Sequence, residues 1–271
     1  MAATLGRENA SEITMAITVT PPEEVTAALA VIGDEILSGR TKDENIGFIA
    51  NHCTQIGIRL KEVRIVPDEE AAIVAAVTAL RGAYTYVFTT GGIGPTHDDI
   101  TAASIARAFG VPIGVDPGAV ALLRERYAEA DLTPARLRMA RIPEGAELIE
   151  NSVSKAPGFM IGNVIVMAGV PAVMQAMLLA VTPRLRTGAR LLSDSIRVDI
   201  AESSVAVPLA ECQQAFPDVA MGSYPFFEER RHGTYLVLRS TDAARLQEAK
   251  ADLIARLPEG ADIPDDAGTA R

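Results

Sequence analysis

The chain has 271 residues, of which 48% are hydrophobic and 22% are charged, and its formal net charge at pH 7 is −10. This composition is typical of a soluble globular protein, and the length predicts a main domain with a smaller second one. The acidic balance argues against nucleic acid as a partner, because affinity for a phosphate backbone comes chiefly from lysine and arginine. No apolar run approaches the roughly 20 residues that span a bilayer, so no membrane partner is expected.

The ends of the chain and the cysteines give further expectations. Residues 1–24 lack the charged and apolar regions of a secretory signal and are predicted to be a flexible extension, and residues 258–271 a flexible acidic tail. Cys53 and Cys212 lie far apart and are predicted to be buried free thiols, which indicates a reduced, cytoplasmic setting. Three scattered histidines give no zinc spacing, so oxygen ligands would dominate any metal site.

The first half of the chain alternates predicted strands with predicted helices. The strands are 25–32, 58–66 and 84–88, and the first is a continuous apolar run of the kind buried on both faces of a parallel sheet. The helices are predicted to start at capping residues, which are Thr41 with Glu44, then Asp68, then one of Asp98 and Asp99. This alternation implies a parallel sheet with helices on both faces, whose ligands bind outside the carboxyl ends of the strands.

Three loops should therefore converge on one edge of the sheet, and the first two carry acidic residues. Residues 33–39 follow the first strand and include Asp34, Glu35 and the hydroxyl of Ser38. Asp68 follows the second strand. We expect these side chains to lie near whatever the third loop binds.

The third loop is rich in glycine. Gly91, Gly92 and Gly94 let the backbone approach a ligand closely, and the free N–H groups of the following helix add to an anion site, so phosphate is the predicted guest. Asp98 and Asp99 stand where a simple phosphate cradle would have a lysine. A divalent cation between these carboxylates and the phosphate is one interpretation, and a helix cap formed by one of the two is the other.

Generic motifs do not narrow the chemistry further. The glycine loop lacks the Gly-Lys-[Ser/Thr] of a Walker A motif and the third glycine of a dinucleotide fingerprint. No Ser/His/Asp set or nucleophilic cysteine has a recognisable context. The residues alone predict a small phosphate-bearing ligand with a metal.

A helical excursion is predicted at 117–141, with Pro134 opening its second part. Arg136, Arg138 and Arg141 make it the most basic stretch, and we interpret it as a solvated face in preference to an arm that reaches phosphate.

A strand at 164–167 and a helix at 172–181 complete the main domain. From residue 190 to 257 the order strand, helix, strand, strand, helix predicts a small α+β domain.

Several segments resemble the N-terminal domain of competence/damage-inducible protein A (CinA), which belongs to the MoaB/Mog-type molybdopterin-binding fold. They are residues 33–39, Asp43 with Asn45, residues 89–101 and residues 156–159, and the resemblance spans about 25–185. It implies a three-layer α/β/α domain with a mostly parallel sheet that binds a pterin or nucleotide phosphate at the glycine loop. Parts of 190–257 resemble the KH-like second domain of such proteins and the related domain of FAD synthases.

With the resemblance, three sets of site residues are predicted. The catalytic set is Asp68 and Asp99. The metal set, for Mg²⁺, Mn²⁺ or Co²⁺, is Asp34, Glu35, Asp98 and Asp99. The ligand- or phosphate-binding set is Gly91, Gly92, Gly94, Thr96, Ser38, Asn45 and Lys155.

The resemblance implies a metal-dependent pyrophosphatase that acts on ADP-ribose or FAD, and a homo-oligomer. The alternatives are a molybdopterin-binding protein of cofactor synthesis and a non-catalytic nucleotide- or pterin-binding module. The third is suggested by departures from the family pattern at Ser154, Lys155 and Ala168. The absence of a Gly-x-x-Gly loop between 190 and 271 argues against RNA as a partner.

Overall fold

The computed structural model describes residues 24–228, 231–258 and 261. Its larger sheet contains β1 (Thr26–Ile32), β2 (Arg59–Val66), β3 (Tyr86–Thr90), β6 (Glu147–Ile149), β7 (Gly158–Ile161) and β8 (Val164–Met167). The strand order is β2-β1-β3-β8-β7-β6, in which the first four strands are mutually parallel and β7 runs antiparallel to both of its neighbours. A separate antiparallel ribbon joins β4 (Ile113–Val115) to β5 (Arg141–Pro143).

Helices cover both faces of this sheet. They are α1 (Asp34–Leu37), α2 (Asn45–Gln55), α3 (Glu70–Ala83), α4 (Thr101–Phe109), α5 (Pro117–Arg124), α6 (Pro134–Arg138) and α7 (Pro171–Val181), with short 3-10 turns at Glu129–Asp131 and Thr182–Arg184. Successive residues of β1 point to opposite faces, so Leu29 packs in one core with α2 and α7, whereas Ala30 packs in the other with α3 and α4. The predicted three-layer, mostly parallel architecture is confirmed.

The C-terminal part has a small core of its own. β9 (Leu192–Val198), β10 (Ala220–Glu228) and β11 (Arg231–Ser240) form an antiparallel sheet in the order β10-β11-β9. α8 (Glu202–Ala215) and α9 (Ala243–Arg256) pack against it around a buried cluster that includes Val205, Leu236 and Leu253. The predicted α+β arrangement is confirmed. No helix among the residues described is long and apolar enough to cross a membrane.

The predicted helix caps are wrong. No side chain caps α2 at Glu44, α3 at Glu69 or α4 at Ile100. The amide of Thr41 instead donates to the Glu35 carbonyl at 3.0 Å, and the side chain of Asp43 accepts from the Ile46 amide at 2.7 Å. The first turn of α2 is therefore bonded by Asp43, and not by the predicted pair Thr41 and Glu44.

Two predicted irregular regions also need comment. The segment after β1 is not only a loop, because α1 lies within it. The flexible termini predicted at 1–24 and 258–271 fall almost entirely outside the described residues. Glu24 itself accepts from Arg59 at 2.9 Å and Lys61 at 3.1 Å, which fastens it to β2.

Candidate functional site

The loops after the parallel strands meet at one edge of the sheet. The Gly33 amide after β1 donates to the Val66 carbonyl at the end of β2 at 3.2 Å, and the Gly91 amide after β3 donates to the Met167 carbonyl at the end of β8 at 3.2 Å. Because β7 is antiparallel, the segment that precedes it reaches the same edge. These loops enclose an open cavity of about 540 Å³.

The glycine loop forms the floor of this cavity and needs glycine at two positions. Gly91 and Gly92 have φ values of +100° and +66°, a region that disfavours residues with a Cβ. A Cβ on Gly91 would meet the Ile32 carbonyl oxygen, and one on Gly92 would meet the Thr101 hydroxyl. The loop backbone is therefore pressed between the end of β1 and the first residue of α4, whose amide donates to the Gly92 carbonyl at 2.9 Å.

Acidic side chains gather beside the loop. The Asp68 carboxylate accepts from the Asp34 amide at 3.0 Å, which fixes the start of α1. Burial raises the pKa of the Asp68 carboxyl, and the charges of Asp34, Glu35 and Asp98 raise it further, although the bond from the Asp34 amide acts in the opposite direction. Four of the five predicted acids are thus close enough for their charges to interact.

The fifth acid, Asp99, is held by the loop itself. Its carboxylate accepts from the Thr96 amide at 2.8 Å and from the Thr96 hydroxyl, and it lines the cavity together with Glu35. Hydrogen bonding from Thr96 and from its own amide lowers the pKa of the neighbouring Asp98 carboxyl, with a smaller contribution from the charge of Arg138. Asp98 is therefore ionised at neutral pH.

Comparison with known proteins identifies the family. Residues 28–187 match the family described as a probable molybdopterin binding domain. The crystal structure of the protein CinA from Thermoplasma acidophilum is 37% identical, with a TM-score of 0.56 over 59% of this chain and 96% of that chain. This chain belongs to the CinA-like proteins of the molybdopterin-binding domain family.

CinA-like relatives extend the match beyond the first domain. A protein of Thermoplasma acidophilum is 33% identical over 86% of this chain and 94% of its own length. A CinA-like protein of Citrifermentans bemidjiense is 35% identical over 85% of this chain, which spans 58% of that relative. Residues 190–266 match the FAD synthase middle domain. The second domain is therefore related to FAD synthases as expected, whereas its KH-like character is not confirmed.

The CinA-like site does not bring all the predicted ligand-binding residues into the cavity. Gly91, Gly92 and Gly94 line it. Asn45 is buried, and its side-chain amide donates to the Gly169 carbonyl at 2.8 Å, so it ties α2 to the turn after β8. Lys155 has a φ of +63° and pairs with Glu125 at 2.5 Å.

Ser38 and Thr96 occupy exposed positions at the margin of the site. The Ser38 hydroxyl donates to the Glu35 carbonyl at 3.4 Å at the end of α1. The Thr96 hydroxyl is occupied by Asp99. The role of Thr96 in the free protein is therefore to orient a carboxylate, and its assignment as a ligand-binding residue stays a prediction.

Sequence reasoning missed one wall of the cavity. Tyr127, Met139, Ser154 and Ala156 line it on one side, and Pro171, Val173 and Met177 line it elsewhere. Arg138 of the basic stretch is half-buried and donates to the His97 carbonyl at 3.3 Å, and the solvated-face interpretation of this stretch stays a prediction.

Asn151 shapes the same wall. Its side-chain oxygen accepts from the amides of Val153 at 3.1 Å and Ser154 at 2.7 Å, and its side-chain amide donates to the Ala156 carbonyl at 2.6 Å. Asn151 is only 5% exposed, so these bonds are partly shielded from water. The segment before β7 is a preformed turn.

Two observations test whether the site fits a phosphate and a metal. The buried Thr101 hydroxyl, beside Gly92, has no hydrogen-bond partner within the described chain, although buried polar groups are normally paired. Among the same residues, no three His, Cys, Asp or Glu side chains are arranged to hold a metal ion. The loop suits an anion such as phosphate, and a cation there would need ligands besides protein side chains, such as phosphate oxygens and waters, as is common for Mg²⁺.

Proposed function

We propose that this CinA-like protein binds the phosphate of a nucleotide at the glycine loop and, with a divalent cation, hydrolyses the diphosphate of ADP-ribose- or FAD-type dinucleotides. The observation that carries the proposal is the charge of the site. A cradle suited to an anion is bordered by carboxylates, and the pKa of Asp68 is raised first by burial and then by the charges of Asp34, Glu35 and Asp98. Such an arrangement is favourable only when a cation accompanies the anion.

The residues divide into two roles under this proposal. The amides of Gly92 and Gly94 and the first turn of α4 hold the phosphate that remains after cleavage. One or two carboxylates from the set Asp34, Glu35, Asp98 and Asp99 would supply oxygens for Mg²⁺, Mn²⁺ or Co²⁺. A bound divalent cation neutralises the diphosphate and lowers the pKa of the attacking water.

Asp68 is the proposed general base. Its raised pKa makes it a better proton acceptor at neutral pH than an ordinary aspartate, and the Asp34 amide fixes its orientation. Water attacks one phosphorus, its proton passes to Asp68, and the P–O–P bond breaks. ADP-ribose would give AMP and ribose 5-phosphate, and FAD would give AMP and FMN.

The test is an AMP-release assay on metal-stripped protein, with ADP-ribose or FAD and each of Mg²⁺, Mn²⁺ and Co²⁺. We expect Asp68→Asn to lower the rate by about 100-fold or more, as is usual for loss of a general base. Glu69→Gln is the matched control, because Glu69 is exposed and the substitution removes the same charge one residue away from Asp68. No AMP with any metal, or equal rates for the two variants, would refute the proposal.

A second candidate is favoured by the family match, whose description is a probable molybdopterin binding domain. In that case the cavity binds molybdopterin as its ligand without hydrolysing a dinucleotide. Measurable affinity for the pterin, together with no AMP release, would select this function. The match of the second domain to the FAD synthase middle domain instead favours a flavin nucleotide.

Assembly and location stay predictions. We propose a homo-oligomer, for which light scattering after size exclusion should give a mass at least twice the 28.6 kDa of one chain. We also propose a cytoplasmic location, which fractionation of the source cells would test.

A further inference from the structure

The cavity lining combines polar and apolar residues. The acids Glu35 and Asp99 line it together with the glycine loop. The other lining residues are largely apolar and include Tyr127, Met139, Pro171, Val173 and Met177. A volume of about 540 Å³ lies within the range of sites for small organic ligands. A phosphate alone would leave most of this volume and its apolar lining unfilled, so the cavity suits a ligand that carries an anionic group and a ring.

Tyr127 is the aromatic residue of this lining, and its ring is held in place. The Tyr127 amide donates to the Leu123 carbonyl at 2.9 Å, which continues the last turn of α5. The guanidinium of Arg136 lies 4.2 Å from the ring centroid. Arg136 is in turn fastened by a 2.7 Å bond to the Asp131 carbonyl. A ring fixed in this way loses little conformational entropy when a ligand stacks on it.

The two residues before Tyr127 fasten it to the segment before β7, which forms the same wall of the cavity. Arg126 donates to the Val153 carbonyl at 2.6 Å, and Glu125 pairs with Lys155 at 2.5 Å. Arg126 and Glu125 thus bind the preformed turn that contributes Ser154 and Ala156 to the cavity lining. Tyr127 therefore belongs to a rigid wall and is not a freely moving surface side chain.

We propose that Tyr127 is a specificity-determining residue, which stacks on the fused planar heterocycle of a nucleotide whose phosphate lies at the glycine loop. This inference rests on the proposed function, because it requires a phosphate at that loop. The inference adds that the site distinguishes nucleotides from sugar phosphates through contact between Tyr127 and the heterocyclic ring. Stacking on an aromatic side chain is tolerant of which base is present, so purine, pteridine and flavin rings are all accommodated.

The test compares two ligands that share a ribose and a 5′-phosphate and differ in the ring. AMP and ribose 5-phosphate are titrated calorimetrically into the full chain with Mg²⁺ present. We expect the unaltered protein to bind AMP more tightly, and Tyr127→Ala to weaken AMP binding by roughly 5- to 100-fold while the affinity for ribose 5-phosphate stays within about twofold. Tyr127→Phe keeps the ring and should keep the preference for AMP.

A further variant separates stacking from packing. Tyr127 also contacts the core under α5, so Tyr127→Leu retains apolar bulk if Tyr127→Ala does not fold. Loss of the AMP preference in Tyr127→Leu supports stacking. Equal weakening of both ligands, or an AMP preference that survives in Tyr127→Leu, would overturn the inference and leave the phosphate site standing. Failure of the unaltered protein to bind either ligand would overturn the proposed function as well.

Discussion

The glycine loop offers a test in which two glycines with nearly the same backbone conformation have different surroundings. Gly92 has a φ of +66° and faces the Thr101 side chain, whereas Gly110 has a φ of +68° and has nothing within 4 Å of where a Cβ would stand. Gly92 contacts the first residue of α4, and Gly110 is the C-cap of that same helix. Alanine at each position therefore separates backbone strain from steric overlap.

The expected magnitudes follow from these two costs. A left-handed backbone costs a residue with a Cβ about 1–2 kcal/mol, so Gly110→Ala should lower the free energy of unfolding by about that amount. Gly92→Ala carries the same penalty. It also forces the new methyl group against the Thr101 hydroxyl, and overpacking of this kind adds about 1–3 kcal/mol. The total expected loss for Gly92→Ala is about 2–5 kcal/mol.

Urea denaturation of the full chain, followed by circular dichroism, measures both losses. Thr101→Ala in the Gly92→Ala background removes the hydroxyl that the methyl group meets and should recover about 1–3 kcal/mol. On its own Thr101→Ala should cost little, because that hydroxyl has no partner within the described chain. Equal losses for Gly92→Ala and Gly110→Ala, or additive effects of Gly92→Ala and Thr101→Ala, would show that this contact does not shape the loop.

Three further predictions concern single side chains. Because the pKa of Asp68 is raised in the folded protein, the free energy of unfolding increases as pH falls through that pKa towards the ordinary aspartate value of 3.8. Asp68→Asn should therefore stabilise the metal-free protein at pH 7 by under about 1 kcal/mol. In thermal melts this stabilisation should be lost at pH 4. Burial raises the pKa of Cys53 to about 12 and of Cys212 to about 11, so a disulfide reagent at pH 8 should modify neither thiol until the protein unfolds. Asn151→Ala should lower the free energy of unfolding by about 2–4 kcal/mol in urea, because it removes several buried hydrogen bonds, whereas Asn151→Asp, which keeps the acceptor oxygen, should lose less.

The topology of the main sheet was predictable because its signal is local. After its first residue, Thr26, β1 is apolar and buried at every position, as expected of a strand covered on both faces. Alternation with helices then fixes the parallel order and the edge where ligands bind. The gathering of Asp34, Glu35 and Asp68 at that edge follows from topology alone, since each comes directly after a parallel strand.

The helix caps were not predictable because a carboxylate can accept a hydrogen bond from any backbone amide within its reach. Asp68 precedes α3, yet it accepts from the amide of Asp34, which is 34 residues earlier in the chain. Asp99 precedes α4 and turns back to Thr96. The residue type at a helix start indicates that a side chain can cap the helix. In the folded site another backbone amide competed for the same carboxylate.

The cavity wall that contains Tyr127 was not predicted, for a different reason. Helical spacing within 117–141 indicates that Tyr127 has apolar neighbours, but spacing does not tell whether they belong to a core or to a cavity. That distinction is made by contacts distant in sequence, such as the bond from Arg126 to Val153. Sequence periodicity indicates which face of a helix is apolar, but it does not identify the segment that packs against that face.

The charge of the site links its stability to its occupancy. Burial and the neighbouring carboxylates raise the pKa of Asp68 and cost the free protein some stability, and a bound cation would offset the part due to the carboxylates. Because no three acids are arranged to hold a metal ion within the described residues, a cation here would draw its remaining ligands from phosphate oxygens and waters. Under the proposed function each partner therefore tightens the binding of the other by the same factor, as thermodynamic linkage requires. A phosphate ligand without the cation should bind weakly, since its charge then faces uncompensated carboxylates.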